Sequence, residues 1–228
     1  MKRIAGAVAL IFLPHIVLAE GLTGLFISHK NSDVDAYQQW VNTSRSTFES
    51  HNCVSFRSGT LAGGEGALKW GDSDHFSLIK CQSPVLADLI EKGFIGELSS
   101  ITDNLNLIEG NLNILSDKMP SEKSEYLIKV SYFNNLNTKA RQKSLAKIGL
   151  HARKAERAWI DDAILQPRAS VGVIQPDDMT FLYYPESGQG KSFRENNPEL
   201  MNEIGRFNRI HVERVTYLAA QIKDGGMK

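Results

Sequence analysis

Apolar residues recur along this chain with two different periods, and the periods alternate. Leu22 to Ser28 (LTGLFIS) reads as a strand, closed off by the polar cluster His29-Lys30-Asn31-Ser32. Asp33 then caps a helix in which Val34, Tyr37, Val41 and Phe48 fall at helical spacing, with Trp40 widening the stripe. Cys53 to Leu61 (CVSFRSGTL) is strand-like, and Gly59, Gly63, Gly64, Gly66 and Gly71 make the next stretch a loop or distorted hairpin. His75 to Cys81 (HFSLIKC) is the next strand, and Ser83-Pro84 opens a helix that breaks between Gly93 and Gly96. From Glu97 to Lys118, Ile101, Leu105, Ile108, Leu112 and Leu115 are spaced alternately by four and three. That pattern predicts a surface helix with a coiled-coil-like stripe, weakened by Gly110.

The pattern then starts again. Tyr126 to Phe133 (YLIKVSYF) is a strand, and Thr138 caps a long helix to about Asp161, with Leu145, Ile148, Ala152, Ala155 and Trp159 inward. Ala169 to Ile174 and Met179 to Tyr184 form a hairpin around Pro176-Asp177-Asp178. Asn197-Pro198 opens a last helix carrying Leu200, Ile204, Phe207, His211, Leu218 and Ile222, although Val212 to Leu218 would also serve as an edge strand. The reading is therefore a signal segment 1–19, a first repeat 20–118, a linker 119–124 and a second repeat 125–228.

The first nineteen residues change the picture most. Met1-Lys2-Arg3 is a basic start, an apolar run follows from Ile4 to Leu18, and Val17 and Ala19 are the small residues a signal peptidase accepts. The sequence predicts an exported protein, periplasmic or secreted, beginning at Glu20. Of 26 basic and 26 acidic side chains, Lys2 and Arg3 leave with that segment, so 24 against 26 gives a net charge of −2. Nucleic acid is not an expected partner, and no later run is long and apolar enough for a membrane span.

Both halves read as strand, helix, strand, loop, strand, helix. LFISHKNSDVDAYQQW matches IKVSYFNNLNTKARQK in element order, as HFSLIKCQSP matches MTFLYYPESG. A β-α-β-β-α unit leaves one face of its small sheet apolar, and two such units solve this by packing their sheets. This organisation resembles the dimeric α/β-barrel superfamily of ferredoxin-like domains, with both halves fused in one chain. The resemblance implies an α+β fold of two β-α-β-β-α repeats, their antiparallel sheets packed face to face. The superfamily holds cofactor-free monooxygenases, haem-degrading enzymes, peroxidase-like and stress proteins, so fold alone does not choose an activity.

Cys53 and Cys81 lie equally far from position 67, the centre of the glycine-rich connection. Simple register sets them opposite each other on antiparallel strands, and export puts them in an oxidising compartment, so a disulfide is expected. The alternatives are two separate buried thiols, or a metal site built from His51, Cys53, His75 and Cys81. A ligand-binding site is drawn from His29, just past the first strand, with Arg168, Tyr183, Tyr184 and Arg194 in the second half. No GxSxG, HExxH, P-loop or GxGxxG motif is present, and no cofactor is expected.

Phe26, Phe56, Phe76, Leu78, Val130, Val171 and Phe181 supply enough apolar volume to fill a small barrel. That favours a non-catalytic binding or assembly module whose partner is a small hydrophobic ligand or another protein. The alternative is a small-molecule or haem-handling enzyme, monooxygenase-like, with its site inside the barrel.

Overall fold

The computed structural model describes residues 21–31, 34–66, 73–134, 137–155 and 158–223. The expected signal segment, the Asp33 cap and much of the glycine-rich connection lie outside the described residues. The first half runs β1 (Thr23–Asn31), α1 (Val34–Ser50), β2 (Val54–Gly66), β3 (His75–Cys81), α2 (Leu86–Glu91), α3 (Phe94–Ile101) and β4 (Thr102–Ile114). The second runs β5 (Glu125–Phe133), α4 (Thr138–Lys154), β6 (Ile160–Val171), β7 (Asp178–Tyr184), α5 (Gln189–Asn196), α6 (Pro198–His211) and β8 (Val212–Ile222).

The fold is α+β, and its strands form one closed antiparallel barrel in the order β1-β3-β2-β8-β5-β7-β6-β4. Strand order within the halves is β4-β1-β3-β2 and β8-β5-β7-β6, and the halves join where β2 meets β8 and β4 meets β6. The expected arrangement of two sheets packed face to face is corrected here. Their edges pair instead of stacking, so each described strand has a neighbour on both sides.

The helix expected from Glu97 to Lys118 is α3 followed by β4, and the helix expected to run to Ile222 stops at His211 and continues as β8. β8 is an internal strand between β2 and β5, not an edge. The strand expected at 169–174 begins earlier, at Ile160, because α4 ends at Lys154.

β1, β3 and β4 bury side chains on both faces, whereas β8 leaves Glu213, Ala219 and Gln221 exposed on its outer face. Phe26, Leu78, Ile108, Ile128, Val130, Met179, Phe181 and Leu218 point into the barrel. There the rings of Phe26, Phe76, Tyr126 and Tyr183 follow one another at 6.1, 6.1 and 6.4 Å between centroids. Outside, Leu25, Ile27, Ile79 and Leu107 pack under α1, α2 and α3, while Leu145, Ile148, Phe193 and Phe207 cover the second half. Trp40 ties α1 to α3 by donating from Nε1 to the Phe94 carbonyl at 2.8 Å.

Cys53 and Cys81 form a disulfide. The register Val54↔Lys80 leads straight to it, and the register slips only afterwards, between Ser55 and Arg57. The cysteines are thus not metal ligands. His75 pairs at the other end of β3, six residues or ~20 Å from Cys81. His51 contacts Ser83 and Asp88 instead.

Candidate functional site

Where β3 begins, the chain gathers a run of titratable and aromatic groups. β1 and β3 pair so that His29 lies opposite His75, both on the face turned toward α1. The two imidazoles stack, 5.7 Å apart and 10° from parallel, and Tyr37 of α1 covers His29 at 4.6 Å. Asp74 Oδ1 lies 2.6 Å from His75 Nδ1. The backbone holds this corner: Asp74 N donates to the His29 carbonyl at 3.1 Å, and Leu61 N donates to the Asp74 carbonyl at 2.9 Å.

The cluster grades from dry to wet. His29 is buried and its Nδ1 has no hydrogen-bond partner among the described residues, whereas the His75 and Asp74 side chains are 37% and 46% exposed. Burial, reinforced by neighbouring His75, lowers the His29 pKa to about 4. Burial likewise raises the Tyr37 hydroxyl, against a hydrogen bond with Ser77. At neutral pH His29 is an uncharged ring backing the His75 imidazole, which Asp74 holds in place through its contact with Nδ1.

The neutral His29 has a consequence for stability. Its folded pKa lies below the unfolded value of 6.5, so the unfolded chain takes up a proton that the fold refuses until about pH 4. The contribution is intact above pH 6.5 and is lost as pH falls through that window. At about 1.4 kcal/mol per pH unit the loss reaches roughly 3 kcal/mol. Urea denaturation at pH 7.5 and 4.5 should show a smaller acid loss for His29→Gln than for the parent. Equal losses would rule His29 out as the cause.

The corresponding corner of the second half carries different chemistry. Ser131 lies opposite Asp178, as His29 lies opposite His75, and Lys129 sits two residues before it. Burial lowers the Lys129 pKa and raises that of Asp178, each partly offset by the charge of the other. Lys129 Nζ also stands 5.8 Å from the Phe207 ring. At the opposite end of the barrel, Arg57 donates from Nε and NH2 to Asp162 at 2.8 and 2.7 Å, and Tyr126 donates its hydroxyl to Asp162 at 2.6 Å. Burial, then the Asp162 charge, holds the Tyr126 hydroxyl well above its ordinary pKa. Every partner there is satisfied, so this is a structural clasp.

The five residues expected to share a ligand site do not converge. Tyr183 points into the barrel against Tyr126, and Tyr184 points outward against Phe193 and hydrogen-bonds Arg194. Arg168 and Arg194 are exposed on β6 and α5. His29 alone of the five stands among other reactive side chains, and its pairing with His75 is a feature that sequence reasoning misses. That pairing depends on the register of β1 against β3, two strands that α1 and β2 separate along the chain, so no local signal carries it.

Among the described residues no group of three or more His, Cys, Asp or Glu is placed to hold a metal ion. Haem does not fit either buried imidazole. His29 has its ring faces against Tyr37 and His75. His211 contacts Ser144 Oγ through Nε2 at 3.0 Å and packs on Phe207. An axial ligand needs a nitrogen open to a flat cavity, and both are enclosed by packed side chains.

No family model and no curated protein sequence matches this chain. Solved structures do. An anthrone oxidase-like protein is 11% identical with a TM-score of 0.55, over 91% of this chain and 94% of that one. A mutant chlorite dismutase from Candidatus Nitrospira defluvii, in complex with cyanide, is 13% identical with a TM-score of 0.54, over 91% and 93%. A Fusobacterium nucleatum protein described as a monooxygenase is 13% identical with a TM-score of 0.50, over 92% and 97%. The chain has the dimeric α/β-barrel fold. The expectation of a non-catalytic module is overturned by these neighbours, which are named as oxidase-like, monooxygenase and dismutase proteins, and the enzyme alternative is the better supported.

Proposed function

We propose that this protein is an enzyme acting on a small molecule, of oxidase or monooxygenase type, with Asp74–His75 at the polar end of the barrel as its proton-accepting pair. The observation that carries this reading is the 2.6 Å contact between Asp74 and His75 beside the buried, uncharged His29. A carboxylate on Nδ1 fixes the tautomer and orientation of an imidazole, so Nε2 is held ready as a base. Aromatic neighbours suit a substrate with an activated C–H or O–H on an aromatic ring. Loss of a C–H proton to His75 leaves a carbanion, and one electron passes from it to dioxygen. The carbon radical and superoxide join as a peroxide that takes the proton back from His75. Loss of water with cleavage of the O–O bond then gives the ketone.

Oxygen uptake with anthrone as the probe tests the reading. The parent protein should consume oxygen, and His75→Ala should lower turnover by about 10²–10⁴-fold, the contribution of a positioned general base. Asp74→Asn should lower it less and shift the pH profile. Absence of uptake, or full activity in His75→Ala, would refute the assignment.

Two finer readings belong with this one. The halves are taken as duplicated ferredoxin-like units, supported by their matching strand order. Export with cleavage after Ala19 is supported by the Val17-x-Ala19 pattern and suits a disulfide-bonded protein. The mass of the exported protein should correspond to a chain starting at Glu20.

A further inference from the structure

β8 carries two buried donor atoms without hydrogen-bond partners among the described residues. Thr216 is fully buried and its Oγ1 has no hydrogen-bond partner among the described residues. Arg214, two residues earlier on the same face, is 36% exposed as a side chain but buries its Nε without a partner among the described residues. Both faces are fixed by register: Thr216 lies opposite Val130 and Arg214 opposite Tyr132, and Val130 and Tyr132 belong to the interior core. On its other side Thr216 pairs with Gly66.

The remaining contacts of Arg214 are weak. Its NH2 lies 3.7 Å from Glu213 Oε1, and its guanidinium stands 5.2 Å from the Tyr132 ring. Glu213 is an immediate chain neighbour and points to the opposite face of the strand. A buried polar atom left without a partner costs free energy, and two adjacent ones on a single strand need an explanation. An acceptor with two oxygens, reached by one N–H and one O–H, supplies it, and a guanidinium favours an anionic acceptor.

We propose that Arg214 and Thr216 form the headgroup site for a small amphipathic carboxylate, whose apolar body lies against Val130 and Tyr132 inside the barrel. The site is independent of the Asp74–His75 pair and of any oxidation there, and it is read by binding alone.

Benzoate and decanoate serve as probes, benzyl alcohol as the neutral counterpart of benzoate, and inorganic phosphate as an anion without an apolar body. Calorimetry and thermal melting should show saturable binding of at least one carboxylate, with little or no binding of benzyl alcohol or phosphate. Arg214→Gln should weaken the carboxylate about tenfold or more. Thr216→Val is the discriminating variant: removing an unpartnered hydroxyl should raise the melting temperature of the free protein by a few degrees while weakening the carboxylate several-fold. A merely structural threonine would show no such opposition. The proposal is overturned if neither carboxylate binds saturably, if phosphate binds equally well, or if both variants bind like the parent.

Discussion

Asp162→Ala should destabilise the fold by about 3–5 kcal/mol, the largest loss expected from a single substitution. Asp162 is fully buried and accepts from both Arg57 Nε and NH2 and from the Tyr126 hydroxyl. Truncating it leaves the Arg57 guanidinium, itself only 5% exposed, without its counter-charge. The carbonyls of Phe56 and Lys118, at 2.9 and 3.0 Å, remain as acceptors but neutralise nothing.

The Lys118 contact explains why the effect should be global. Arg57 is on β2, Tyr126 on β5 and Asp162 on β6, and Leu115 and Ser116 donate backbone N–H groups to the Asp162 carbonyl. One aspartate therefore gathers both halves and the segment that joins them. Replacing the whole group together, Arg57→Met with Asp162→Leu and Tyr126→Phe, should cost far less, because no charge or hydroxyl is left stranded. Urea denaturation of the single and triple variants checks this. A loss under about 1 kcal/mol for Asp162→Ala would mean that solvent reaches Arg57.

Removing the disulfide should have the second-largest effect. Cys53 and Cys81 are 28 positions apart, and closing a loop of that size stabilises by about 3–4 kcal/mol in the chain-entropy model. For a chain of this length that corresponds to about 10 °C in melting temperature. The Cys53→Ala/Cys81→Ala variant should keep the barrel, since the β2–β3 pairing continues well beyond the bridge, to Thr60↔His75. Two free thiols in the denatured, unreduced parent would contradict the bridge.

Where the sequence was legible, one physical rule governed the element. β3 coincides with its expected span because its burial alternates almost strictly, from His75 to Cys81. The disulfide is found by counting because the slip between Ser55 and Arg57 is a single residue, and beyond it Val54↔Lys80 leaves Cys53 opposite Cys81. β4 fails the same test. Leu107 packs outward under the helices and Ile108 and Leu112 inward, so apolar residues sit on both faces and their spacing imitates a helix. Gly110, read as a weak point of that helix, is where a Cβ would overlap Gln166 O of β6.

β6 is hidden differently. Asp161 and Asp162 look like the polar end of a helix, yet both are buried within a strand. Asp161 accepts from Trp159 Nε1 at 3.0 Å and Asp162 from Arg57, 105 positions away. Long-range satisfaction of this kind leaves no local trace. The His29–His75 pairing also needs the register of two strands, whereas Asp74-His75 is a neighbouring pair whose chemistry is visible in the sequence.

The closing seam between β2 and β8 determines when this chain can finish folding. Gly59 pairs with Ile222, 163 positions later, so the barrel cannot shut until nearly all the chain is available. Such distant pairing makes folding slow relative to helical proteins of equal stability. The strands β4-β1-β3-β2 can assemble earlier, and their disulfide can form while the second half is still being delivered. During that interval the outer strands β2 and β4 expose unpaired backbone rows, which are templates for pairing with another molecule. A chain stopped before Val212 would keep such rows on β2 and β5. Its defect would show first as aggregation, with most of its secondary structure still in place.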